Sequence, residues 1–73
     1  MKEDEKFYKR LAEVIKEERT KQNLTIKELA KRANLSSITI SDIENNKSRP
    51  YISTLLKIND GLNFPPQKIY SLV

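Results

Sequence analysis

The side chains able to do chemistry crowd into one stretch of the sequence. Lys21, Lys27, Lys31, Arg32, Lys47 and Arg49 outnumber Glu28, Asp42 and Glu44 there, and the hydroxyls of Thr25, Ser36, Ser37, Thr39, Ser41 and Ser48 lie among them. Cations and hydroxyls in that mixture suit one task, holding a polyanion through charge and hydrogen bonds, with counterion release as the driving force. A formal net charge of +4 points the same way. Other chemistries lack their residues. With no His and no Cys, the commonest acid–base group, the thiol nucleophile, disulfides and the commonest zinc ligands are all missing. A single Gly rules out a glycine-rich phosphate loop, and Glu3, Asp4 and Glu5 read as a solvated terminus rather than a carboxylate pair in a pocket. The expectation is a protein that is not an enzyme and carries no metal or cofactor.

The elements that must position these groups are short helices. Leu29, Ala30 and Ala33 recur at helical spacing, as do Ile40 and Ile43, so two segments each bury one stripe and leave the other exposed. Thr25 caps the first, with Glu28 three residues later completing a capping box. Asn34 stands where that helix must stop, since Asn accepts a left-handed backbone at a helix end. Leu35 then tucks toward the core, Ser36 caps the second helix, and Asn45-Asn46 repeats the stop. Two apolar-faced helices closed together by a tight turn are a standard way to present one helix to the DNA major groove.

The run resembles the Cro/repressor-type helix-turn-helix proteins, also called the xenobiotic-response-element family. The matching residues are Thr25, Glu28-Leu29-Ala30, Leu35-Ser36, Ile40-Ser41, Ile43-Glu44, Lys47, Pro50, Leu55, Ile58 and Leu62. The likeness extends from about Leu11 to Ile69 without an insertion. It implies an all-α fold, a compact five-helix lambda-repressor-like helix-turn-helix domain, with double-stranded DNA as partner.

By that resemblance, Ser37, Ile38, Ser41 and Asp42 on the recognition helix meet base edges. Ser37 can donate or accept, and Ile38 suits a thymine methyl because Ile40 and Ile43 already fill the buried stripe. Asp42 departs from relatives that carry a basic or amide residue. A carboxylate only accepts, so it either selects a cytosine amino group or weakens DNA binding. Ile26 departs too, standing where relatives place a Gln that touches phosphate and braces the recognition helix; an apolar Ile there can instead pack beside Leu24 or Ile38. Phosphate contacts are expected from Thr25 and Lys27 at a helix N-terminus, from Ser36 and Thr39, and from Lys47, Ser48 and Arg49 in the following loop. Lys27, Lys31 and Arg32 read equally well as a solvated face. Arg19 and Glu44 match a family pair that fixes the recognition helix to the scaffold, a structural role.

Along the chain, helices are expected at about 5–22, 26–33, 37–45 and 53–62, with residues 1–4 frayed and a last short helix from near Pro66. Helix 4 is expected to bury Ile52, Leu55, Leu56, Ile58 and Leu62. The 73 residues make one domain, 1–73, without a membrane-length apolar run or a signal-peptide h-region, and cytoplasmic residence fits. Phe64, Ile69, Tyr70, Leu72 and Val73 form a dense apolar tail that either builds a homodimer interface or closes the monomer core. The resulting expectation is a DNA-binding transcriptional regulator, a repressor that binds a palindromic operator as a dimer. The alternative is a protein-interaction module of the same fold, of the antitoxin or antirepressor kind, with weak or no DNA binding.

Overall fold

The computed structural model describes residues 2–63. They form four helices: α1 Lys2–Lys21, α2 Ile26–Ala33, α3 Ser37–Glu44 and α4 Ile52–Leu62, with no strand among the described residues. The fifth helix expected near Pro66 lies outside the described residues, as do Phe64, Ile69, Tyr70, Leu72 and Val73. Helix α1 starts at Lys2, three residues ahead of the expected Glu5. Acidic side chains such as Asp4 and Glu5 in the first turns favour the positive end of the helix dipole, which accounts for the earlier start.

The core follows from the periodicity. Leu11 and Ile15 of α1 sit four residues apart on one face and meet Leu29, Ile40, Ile58 and Leu62, all of them fully buried. Phe7, Tyr8, Val14, Ile26 and Leu35 pack around this cluster as half-buried neighbours. Helix α2 packs on α4 and on α3, and α1 closes on α3. Gln22 joins the far ends of α1 and α4, its Nε2 donating to the Leu62 carbonyl at 2.7 Å.

Asparagine ends every helix. Asn23, Asn34, Asn46 and Asn63 all have φ of 57° or 58°, and no other described residue has positive φ. In the first three cases the residue after the Asn donates its amide back across the last turn: Leu24 to Arg19, Leu35 to Ala30 and Lys47 to Asp42, at 3.0, 2.9 and 2.8 Å. This double closure satisfies carbonyls that a helix end otherwise orphans. Leu24 and Leu35, carried inward by the same turn, join the core. Asn45, paired with Asn46 as a stop in the sequence, instead keeps an ordinary φ of −93° and donates Nδ2 to the Ser41 carbonyl at 2.8 Å.

Helix α4 differs from expectation on one flank. Leu55, Ile58 and Leu62 are buried, but Ile52 and Leu56 are 70% and 45% exposed. Both were expected in the core. The two sit four residues apart in one row, and Leu56 is rotated about 100° from Leu55, away from the face that α4 packs on α2.

Candidate nucleic-acid interface

The exposed side of α3 is set by its buried side. Ile40 and Ile43 are 1% and 3% exposed, which turns Ser37, Ile38, Ser41 and Asp42 outward. Ile38 is the most open of them at 71%, while Ser37, Ser41 and Asp42 are half-buried. Ser36 holds the start of the helix, its Oγ accepting from the Thr39 amide at 3.1 Å and bonding the Thr39 hydroxyl at 2.9 Å. Ser41 Oγ accepts from Asn45 Nδ2 at 3.3 Å and keeps its own proton to donate. Two hydroxyls, one apolar side chain and one carboxylate therefore share one outward strip about 7.5 Å long, on a helix of a size that fits a major groove.

The phosphate candidates divide into two groups. At the start of α2, Thr25 and Glu28 form a reciprocal capping box, with Thr25 N donating to Glu28 Oε1 at 2.9 Å and Glu28 N to Thr25 Oγ1 at 3.0 Å. The amides of Ile26 and Lys27 remain as open helix-start donors, beside the exposed Lys27. Glu28 is exposed as well, and its carboxyl is held below its ordinary range first by the Thr25 amide and then by the Thr25 hydroxyl. That charge opposes an anion at the same helix end. After α3, Lys47, Ser48 and Arg49 are all exposed, on a loop anchored by the Lys47 amide bonded to the Asp42 carbonyl at 2.8 Å. Lys31 and Arg32, in the last turn of α2, face solvent.

Between these groups α3 is tied to the scaffold. Arg19 Nε donates to Glu44 Oε2 at 2.7 Å and its NH2 nitrogen to Glu44 Oε1 at 3.0 Å, a bidentate pair with side chains only 11% and 3% exposed. The remaining guanidinium nitrogen donates to the Leu24 carbonyl at 2.7 Å. The hydrogen bond to Glu44 pushes the Arg19 pKa above its ordinary value, so the guanidinium stays charged throughout the physiological range. With both carboxylate oxygens engaged by Arg19, Glu44 is bound into the scaffold rather than offered to a ligand.

The family model described as helix-turn-helix, HTH_3, matches residues 15–69, most of the chain. The chain belongs to the XRE-type helix-turn-helix family. Among solved structures, this family member is similar to the restriction-modification controller protein C.Esp1396I. The wild-type protein is 29% identical, with a TM-score of 0.84, 90% of this chain and 87% of that chain covered. A mutant of C.Esp1396I bound to its highest affinity operator site, OM, aligns at the same identity with a TM-score of 0.83, covering 90% of this chain and 87% of that one. No curated protein matches the chain at a significant level.

Long-range ties of this family member escaped sequence reasoning. The Gln22 tie to Leu62 joins residues far apart in sequence, and nothing local to Gln22 announces it. Ile26, which the sequence leaves open between a missing phosphate brace and packing beside Leu24 or Ile38, is half-buried against the core. Its apolar type was the signal, because a helix-start residue facing water has no use for it. No described helix is long and apolar enough to cross a membrane.

Proposed function

We propose that this protein is a sequence-specific regulator of transcription that places α3 in the major groove of double-stranded DNA and represses by occupying an operator as a homodimer. The observation that carries the reading is the outward strip of Ser37, Ile38, Ser41 and Asp42 on a helix locked from behind by Arg19 and Glu44. Similarity to a controller protein captured on its operator supports the DNA-binding part. Base contacts fall to Ser37, Ile38, Ser41 and Asp42. Lys47, Ser48 and Arg49 grip phosphates after α3, and Thr25, Lys27, Ser36 and Thr39 lie along the two helix starts. Pairing through the segment that carries Phe64, Ile69, Tyr70, Leu72 and Val73 sets two recognition helices about one DNA turn, roughly 34 Å, apart and makes the operator palindromic.

Selection of bound duplexes from a random pool, combined with sedimentation at micromolar concentration with and without the selected duplex, tests this. A reproducible palindrome and a dimer on DNA are expected. A single half-site bound by a monomer defeats the dimer. Failure to enrich or bind any duplex, at any salt concentration, hands the chain to the protein-interaction reading, which the departures at Asp42 and Ile26 keep open.

A further inference from the structure

The first turns of α1 and the loop after α3 enclose a cleft lined by Lys6, Lys9, Lys47 and Arg49, with Tyr8 between them and Glu5 as its one carboxylate among the described residues. The Arg49 guanidinium carbon lies over the Tyr8 ring, 5.1 Å from its centroid, within cation–π range. Phe7 braces that ring edge-on, with centroids 5.2 Å apart and planes at 79°. Arg10, the neighbouring cation, is drawn away by Glu13 and Glu17 at 3.2 and 3.8 Å. Lys6, Lys9 and Lys47 have no ion-pair partner among the described residues. The family model begins only at residue 15, so the α1 half of this cleft lies ahead of the matched segment.

We infer that this cleft is a phosphodiester site: Lys6 and Lys9 from α1 join Lys47 and Arg49 in holding one stretch of DNA backbone, and Tyr8 is the positioning residue that presents Arg49. Four cations and one carboxylate leave a cationic excess for a polyanion to neutralise. An arginine resting on an aromatic face gives up less rotamer freedom on binding than one free in solvent, while its edge nitrogens stay open for phosphate oxygens. This site rests on the chain binding duplex DNA, as proposed above.

The test measures affinity for the selected operator over a salt series. Replacing both Lys6 and Lys9 by Ala should reduce the slope of log K against log salt by up to about two units, whereas Lys16→Ala, about 10 Å farther along α1 and outside the cleft, leaves it unchanged. Tyr8→Leu should weaken binding about two- to fivefold, Tyr8→Phe should restore it, and the Tyr8→Leu effect should vanish in an Arg49→Ala background. Operators carrying a single neutral methylphosphonate linkage, scanned along the strand, locate the contact. One linkage should weaken the wild type yet leave the Lys6, Lys9 double variant indifferent. A full salt slope in that double variant, or a Tyr8→Leu loss that persists without Arg49, overturns the site while leaving DNA binding intact. A wild type without salt-dependent binding overturns the DNA reading itself.

Discussion

Gly61 of α4 sits directly against Ala33 of α2, with less than ordinary contact room for a side chain between them. A methyl placed on Gly61 would stand 3.1 Å from the Ala33 backbone nitrogen, 3.2 Å from its Cβ and 3.1 Å from Leu29 Cδ1. Two effects compete when Gly61 becomes Ala. Helix propensity gains about 1 kcal/mol, and overpacking costs about 1–3 kcal/mol. Because one of the atoms met is backbone rather than the tip of a side chain, overpacking prevails. Gly61→Ala is expected to lower stability by about 1 kcal/mol, and Gly61→Val by more, in urea denaturation. A stabilised Ala variant would show that the two helices separate freely.

The bidentate Arg19 and Glu44 pair makes a different prediction. Removing either partner strands a buried charge, at a cost of about 3–5 kcal/mol, whereas replacing both with apolar residues of similar size restores much of the loss. Arg19→Met and Glu44→Leu, singly and together, provide the double-mutant cycle. Additive losses would mean that the two groups stabilise α3 independently.

Glu28 supplies a pH dependence. Its carboxyl is lowered below the ordinary 4.5 in the folded chain by the Thr25 amide and hydroxyl. A lowered acid contributes stability that is present in full above its ordinary pKa and lost as the pH falls through its folded value. Glu28→Gln keeps the reach to the Thr25 amide but cannot titrate. The wild type should therefore melt higher than the variant near neutrality, with the gap closing on acidification below pH 4.5. A gap that does not change with pH would assign the effect to something other than the capping box.

Asn34 tests the helix stops. At φ 57° and ψ 44° a Cβ without a polar side chain is strained by about 1–2 kcal/mol, so Asn34→Ala should destabilise by about that amount and Asn34→Gly should be close to neutral. Equal stability of the Ala and Gly variants would mean that the turn adopts another conformation at no cost.

On DNA, Asp42→Asn should change the base selected at one position of each half-site, a discrimination of about 1–3 kcal/mol, without altering the fold. Lys47→Ala with Arg49→Ala should weaken all duplexes alike and flatten the salt slope by up to about two units. Unchanged selected motifs in the first variant, or an unchanged slope in the second, would remove those residues from the interface.

Much of this architecture is legible in the sequence because it is local. The box of Thr25 and Glu28, the Ser36 cap and the Asn34 stop are each written within four residues, and the periodicity of Leu29, Ala33, Ile40 and Ile43 fixes which way α2 and α3 face. Residues far apart in sequence are harder to join. The Tyr8 contact with Arg49 links a half-buried helix residue to an exposed loop 41 positions away, with no common period to bring them together. Ile52 and Leu56 failed for another reason: apolar residues fill cores, yet a small domain has too little polar surface to cover itself, and some remain outside.

The Arg19 clamp also has a mechanical consequence. It holds α3 at its last residue, Glu44, and through the Leu24 carbonyl fastens that point to the turn before α2. The other end of the helix, at Ser37, lies about 10 Å away and is held by the tight turn from α2, with Leu35 packed on the core. A tilt of about 5° about the anchor swings that tip by about 1 Å, more than the few tenths of an ångström that separate a good hydrogen bond from a poor one. Aim at the tip thus depends on this pivot together with the turn from α2, and slackening a single arginine would loosen one of the two holds on the reading helix.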